Sequence, residues 1–87
     1  MYQVRILEEA ARDLTKVDAV VARRIASRIQ WLAEKLDDIQ PEALSGSLAG
    51  FYKLRAGDYR VVYEIVHSEQ TLVVHLVGHR REIYRNL

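Results

Sequence analysis

The chain has 87 residues, 49% of them apolar, a formal net charge of +1 and no cysteine. That is enough for one small domain spanning residues 1–87. It excludes a disulfide framework, a thiolate metal site and wholesale disorder. No apolar run approaches membrane-spanning length, and the opening Met1 to Ile6 is too short and too alternating for a signal peptide, so a cytoplasmic protein is expected.

Tyr2 to Leu7 alternates, with Tyr2, Val4 and Ile6 on one side, and predicts a short strand. Glu8 to Leu14 predicts a short helix with its paired acids in the first turn, where the helix dipole favours them. Asp18 is a candidate N-cap for a longer helix. There Val21, Ile25, Ile29, Leu32 and Leu36 form one apolar stripe at helical period. Pro41 marks the limit of that segment, because the residue before a proline avoids helical geometry. A helical hairpin is expected.

Residues 41–50, with one Pro, two Gly and two Ser, predict a loop. The period then changes to two. Phe51 to Ala56 predicts a strand, Gly57-Asp58 a tight turn and Tyr59 to Val66 a second strand. His67 to Gln70 predicts another turn and Thr71 to Val77 a last strand, ended by Gly78. The fold class is therefore α+β. A twisted, mostly antiparallel sheet carries both helices on one face, and a basic tail follows.

Strand parity sorts the side chains. Tyr52 and Leu54, then Tyr59, Val61, Tyr63 and Ile65, then Leu72, Val74 and Leu76 are expected to face the helices. Lys53 and Arg55, then Arg60, Val62 and Glu64, then Thr71, Val73 and His75 face away. Lys53, Arg55 and Arg60 thus gather on one face, and His79, Arg80, Arg81 and Tyr84 follow nearby in the tail. Charge is distributed to match. Residues 1–45 hold seven Lys/Arg against eight Asp/Glu, while residues 46–87 hold six against four. Unbalanced cations on an open sheet face form a phosphate cradle, because the guanidinium fork grips phosphate oxygens in pairs. The competing reading is a solvated basic face.

The stretch Leu44 to Ile65, containing Gly50-Phe51-Tyr52-Lys53-Leu54-Arg55-Ala56-Gly57-Asp58-Tyr59-Arg60-Val61-Val62-Tyr63, strongly resembles the central signature of RelE-type toxins of the RelE/ParE superfamily. Val77-Gly78-His79-Arg80-Arg81-Glu82-Ile83-Tyr84 resembles their closing motif, and the likeness covers nearly the whole chain. The resemblance implies the toxin of a bacterial type II toxin–antitoxin system. It implies an endoribonuclease that cuts mRNA on the ribosome, using the RNA's own 2′-hydroxyl and no metal or other cofactor. Its implied partners are mRNA on the ribosome and a cognate antitoxin, with a toxin–antitoxin hetero-oligomer in prospect and no membrane.

By the same resemblance, Arg60 and Arg80 match positions that stabilise the phosphorane. Lys53 and Arg55 match the basic pair that binds phosphate, with Arg81 an added RNA-binding cation. Tyr84 matches the C-terminal tyrosine, a general base or an orienting group. Arg55 stands where the better-known relative has lysine, and arginine cannot exchange protons near neutrality. That leaves Lys53, Tyr84 and His79 to move protons, although His79 also reads as a packing histidine at a strand end. Tyrosine serves as a base only where neighbouring cations depress its pKa.

His75 reads as structural and His67 as solvated. Trp31 is expected to pack or to meet a partner. Arg23, Arg24 and Arg28 form a solvated helix face or a contact to ribosomal RNA. The sheet edges and the helical hairpin offer docking surfaces for an antitoxin. Two alternatives share the same fold: a gyrase-poisoning toxin of the ParE branch, and a non-catalytic RNA- or protein-binding module.

Overall fold

The computed structural model describes residues 1–85. In chain order it holds β1 (Gln3–Ile6), α1 (Glu8–Thr15), α2 (Ala19–Lys35), β2 (Glu42–Ala43), β3 (Tyr52–Ala56), β4 (Tyr59–Val66) and β5 (Thr71–His79), with short 3-10 turns between some of them. The five strands form one sheet in the order β1-β5-β4-β3-β2. Three neighbouring pairs are antiparallel, and β1 runs parallel to β5.

Local chemistry explains the helices. Glu8 and Glu9 occupy the first turn of α1, and Glu8 pairs with Arg12 one turn on at 2.8 Å. The Asp18 carboxylate accepts the Val20 N–H at 3.1 Å and caps α2. Ile25, Ile29, Leu32 and Leu36 are buried, with Val21 packed beside them, so the predicted stripe is the face that meets the sheet. Opposite it lie Leu54, Val61, Tyr63, Leu72 and Val74. α1 packs along β5, and α2 lies across β3 and β1. β1 stops pairing at Ile6↔Val74. Beyond it Asp13 of α1 takes over the edge, its carboxylate accepting the Val77 N–H at 3.1 Å.

Three expectations need correction. Residues 41–50 are not all loop, because Glu42 and Ala43 pair with Lys53 and Tyr52 as a two-residue edge strand. β5 continues through Gly78 to His79 rather than ending at Val77. Leu76 does not face the helices. The β4–β5 register passes from Val62↔Leu76 to Tyr63↔Val74, a bulge that leaves His75 as the extra residue. The slip returns Val77 to the helix side, where it is buried, and puts Leu76 beside Val62 on the other side. His75 settles there too, bonded to Glu64 Oε1 at 2.8 Å and edge-on to Phe51.

The face away from the helices is therefore divided. At one end Leu48 and Phe51, from the 44–51 segment, close over Val62, which is buried. The other end, beside the β3–β4 hairpin, stays open and carries the cations.

Candidate phosphate-binding site

The hairpin sets the geometry. Gly57 has φ +62° and Asp58 an ordinary negative φ, the pattern of a type II′ turn, which favours glycine at its first central position. This two-residue connection puts Arg55 directly opposite Arg60, and the next pairing puts Arg60 opposite Gly78. Like charges facing across a ladder are unfavourable, so each arginine needs something to hold it. Arg60 Nη1 donates to the Gly57 carbonyl at 2.8 Å and to the Tyr59 carbonyl at 2.9 Å. Arg55 turns toward Glu42, with Nε 3.6 Å from one carboxylate oxygen, while Lys53 Nζ is 3.7 Å from the other.

The same turn anchors the C-terminal segment. The Arg80 N–H donates to the Asp58 carbonyl at 2.8 Å, and Arg80 Nε lies 3.9 Å from the Asp58 carboxylate. Arg60 and Arg80 are thus both tied to the Gly57-Asp58 turn. Residues 80–85 then fold back in turns, with the Glu82 and Ile83 N–H groups both donating to the His79 carbonyl. Ile83 is buried against Gly78, where an added Cβ would sit 2.8 Å from Ile83 Cδ1. Gly78 therefore serves as a close-approach site inside the strand rather than as its terminator.

That return brings Tyr84 to the cationic face. Arg60 and Arg55 act on its hydroxyl to lower the pKa, but partial burial outweighs them, Glu42 opposes them, and the net direction is upward. Tyr84 is a neutral phenol at physiological pH. The condition under which a tyrosine serves as a base, a pKa depressed by neighbouring cations, is not met at Tyr84, where the orienting role named beside it needs no such shift.

The structure brings Lys53, Arg55, Arg60 and Tyr84 together, with Arg80 tied to the adjoining turn. It does not bring His79 with them. His79 sits opposite Tyr59, on the helix-facing parity, with its ring edge-on to the tyrosine at 5.5 Å. Its Nδ1 accepts the Arg81 N–H at 3.2 Å. This is the packing role weighed against catalysis. Arg81 is exposed in the turn that follows.

Two contributors escaped sequence reasoning. Glu42 lies in a two-residue strand too short to show a period. Asp58 read simply as a turn residue. Together they supply the carboxylates that ion-pair with Lys53, Arg55 and Arg80. The site is thus a cluster of four cations and one phenol, with the carboxylates of Glu42 and Asp58 among them.

Residues 4–84 match the family model described as the ParE toxin of type II toxin–antitoxin systems, parDE. The chain is 34% identical over 88 residues to Toxin RelG of Mycobacterium tuberculosis, covering 97% of each chain. In structure it resembles a chain of the RelBE2 toxin–antitoxin complex of M. tuberculosis, with a TM-score of 0.81, 30% identity, and 91% of this chain and 98% of that one covered. It also resembles the isolated RelE toxin of Escherichia coli, with a TM-score of 0.73, 25% identity, and 91% of this chain and 84% of that one covered. The pairing of two arginines at one hairpin with a basic strand beside them thus sits on a shared scaffold, and the chain belongs to the RelE/ParE superfamily as a toxin of a type II toxin–antitoxin system.

Proposed function

We propose that this toxin is an endoribonuclease that cuts mRNA on the ribosome. The observation that supports it best is the tethering of Arg60 and Arg80 to one turn, next to Lys53 and Arg55. Fixed cationic donors of this kind stabilise the charge that develops on a five-coordinate phosphate. In the reaction the RNA 2′-oxygen attacks the neighbouring phosphorus and the bond to the 5′-oxygen breaks. The products are a 2′,3′-cyclic phosphate and a 5′-hydroxyl. Glu42 takes the proton from the 2′-hydroxyl, Tyr84 gives one to the departing 5′-oxygen, and Arg60 and Arg80 hold the non-bridging oxygens. Lys53, Arg55 and Arg81 bind the flanking phosphates. His79 has no part in the proton transfers.

The toxin works in the cytoplasm and is held inactive by a cognate antitoxin, a partner supported by the M. tuberculosis relative solved as a toxin–antitoxin complex. No helix among the described residues is long and apolar enough to cross a membrane. Mapping mRNA 5′ ends on translating ribosomes after expression of the chain tests the reading. New ends within codons are expected, and Arg80→Ala abolishes them while far-UV circular dichroism stays unchanged. A second reading, a ParE-type gyrase poison, is favoured by the family model that matches. Intact transcripts together with gyrase-linked DNA breaks would decide for it.

A further inference from the structure

The slip at His75 sends Leu76, an apolar side chain, to the face away from the helices. Bulges re-aim side chains in this way and recur beside active sites. Leu76 stands directly across from Val62, and Val62 directly across from Lys53. Val62 also shares its side of β4 with Arg60 two residues earlier, a separation of roughly 7 Å along a strand. Apolar ground therefore begins one residue row from the arginines.

A cavity of about 390 Å³ opens there, large enough for a small ligand. Val62, only 2% exposed, is the most buried of its residues, and half-buried Leu7, Leu48, Phe51 and Leu76 line the rest. The Phe51 wall is preformed. The Phe51 N–H donates to the Leu48 carbonyl at 3.1 Å, and the Leu44 N–H to the Phe51 carbonyl at 2.9 Å. The His75 ring meets Phe51 edge-on at 4.9 Å and is itself held by Glu64.

The lining decides what fits. Among the described residues around the cavity there is no Lys or Arg, and exposed Glu9 is an acid. A second phosphate is therefore disfavoured. An unstacked nucleobase is uncharged and planar, and aromatic and apolar side chains are its usual platform. Its edge N–H groups find an acceptor in the Glu9 carboxylate. The neighbouring Lys53 and Arg60 call for an occupant with a phosphate close to its apolar part, and a nucleotide has that arrangement built in.

We propose that this cavity is a nucleobase subsite. A nucleotide whose phosphate lies on Lys53 and Arg60 swings its base out of the stack and into the space between Phe51, Val62 and Leu76. The inference rests on the RNA-cleaving reading above and adds to it a base-recognition element made by this chain.

The probe is a set of RNA trinucleotides with 2′-methoxy groups that block cleavage. Each carries 2-aminopurine, whose emission changes when it stacks, at one of the three positions. They are titrated into the intact chain without ribosomes, and an abasic trinucleotide competes for the same chain. One position gives a saturable change in emission, and the abasic ligand binds at least about fivefold more weakly. Leu48→Asp and Phe51→Ala, both checked for folding by circular dichroism, erase that difference. Lys53→Ala weakens both ligands alike. The proposal is overturned by any of three results: no saturable change, an abasic ligand that binds as well as the full one, or a difference that persists in both cavity variants. It is also overturned if an apolar tripeptide displaces the fluorescent ligand at lower concentration than unlabelled trinucleotide does, which would make the cavity a peptide site. Base-dependent binding with mRNA left intact on translating ribosomes counts against the nuclease reading alone. Cleavage on ribosomes without base-dependent binding counts against this inference alone.

Discussion

Replacing Arg60 with alanine separates catalysis from folding. In the folded chain one guanidinium nitrogen, Nη1, makes both bonds to the Gly57 and Tyr59 carbonyls. Those two bonds lie at or near solvent, where each contributes about 0.5–1.5 kcal/mol. Their loss is offset by relief of the Arg55–Arg60 opposition, worth roughly 0.2–1 kcal/mol across a ladder. The net destabilisation is therefore about 1 kcal/mol, or a fall in Tm of about 4–8 °C for a domain of this size. On the reaction the effect is much larger. A preorganised donor to a developing oxyanion is worth about 2.7–4 kcal/mol, so cleavage falls by about 10²–10³. Arg60→Lys keeps a positive charge but cannot hold the turn and a phosphate oxygen at once, and it recovers only part of the loss. The assay pairs primer extension on ribosome-bound mRNA with urea denaturation of each variant. Arg60→Ala cutting at the parental rate would refute the reasoning. So would a loss of several kcal/mol in stability, which would make Arg60 a structural residue.

Glu42→Gln removes both ion pairs to Lys53 and Arg55. These are exposed pairs, so urea midpoints move by less than about 1 kcal/mol. The cleavage rate constant falls by about 10²–10⁴ if Glu42 is the proton acceptor, and a faster variant would show that it only restrains the cations. Gly78→Val drives a side chain into Ile83, lifts residues 80–85 and lowers cleavage by displacing Arg80 and Tyr84 together. Limited proteolysis near the C-terminus detects that lifting, and an unaltered digestion pattern speaks against it. Burial pushes the Tyr63 phenol up from 10.0 to about 12. The folded state holds this proton more tightly than the unfolded chain, so the associated stability is fully present below pH 10. It is lost as pH rises through 10 to 12. Denaturation midpoints measured across that range fall in the parent chain and flatten in Tyr63→Phe.

The features legible in the sequence are those with a period. The α2 stripe from Val21 to Leu36 and the alternation through β3 and β4 needed only spacing, because burial on one face forces 3.6 or 2. Lys53, Arg55 and Arg60 could be placed on one face for the same reason. What escaped was set by tertiary contacts. The bulge at His75 depends on Glu64 and Phe51, neither of them close in sequence, and it alone moved Leu76 out of the core. The two-residue β2 is too short to signal itself, so Glu42 was hidden. The position of His79 followed from β5 running two residues past its predicted end, which an internal glycine seemed to forbid. The direction of the Tyr84 pKa depends on partial burial weighed against two arginines, a balance no local pattern records.

The parallel pairing of the first strand with the last has a bearing on how this protein is born. Residues 3–6 have no sheet partner until residues 71–74 are available. The ordering entropy of that long loop is repaid only once residues 71–74 have been made. At cellular elongation rates of about 5–20 residues per second, the first strand waits for its partner for on the order of 3–13 s. The hairpin that holds Arg60 cannot be backed by a complete core before then. A nascent toxin therefore matures only as β5 emerges, and a partner that captures the edge of β5 reserved for β1 intercepts it before the sheet closes.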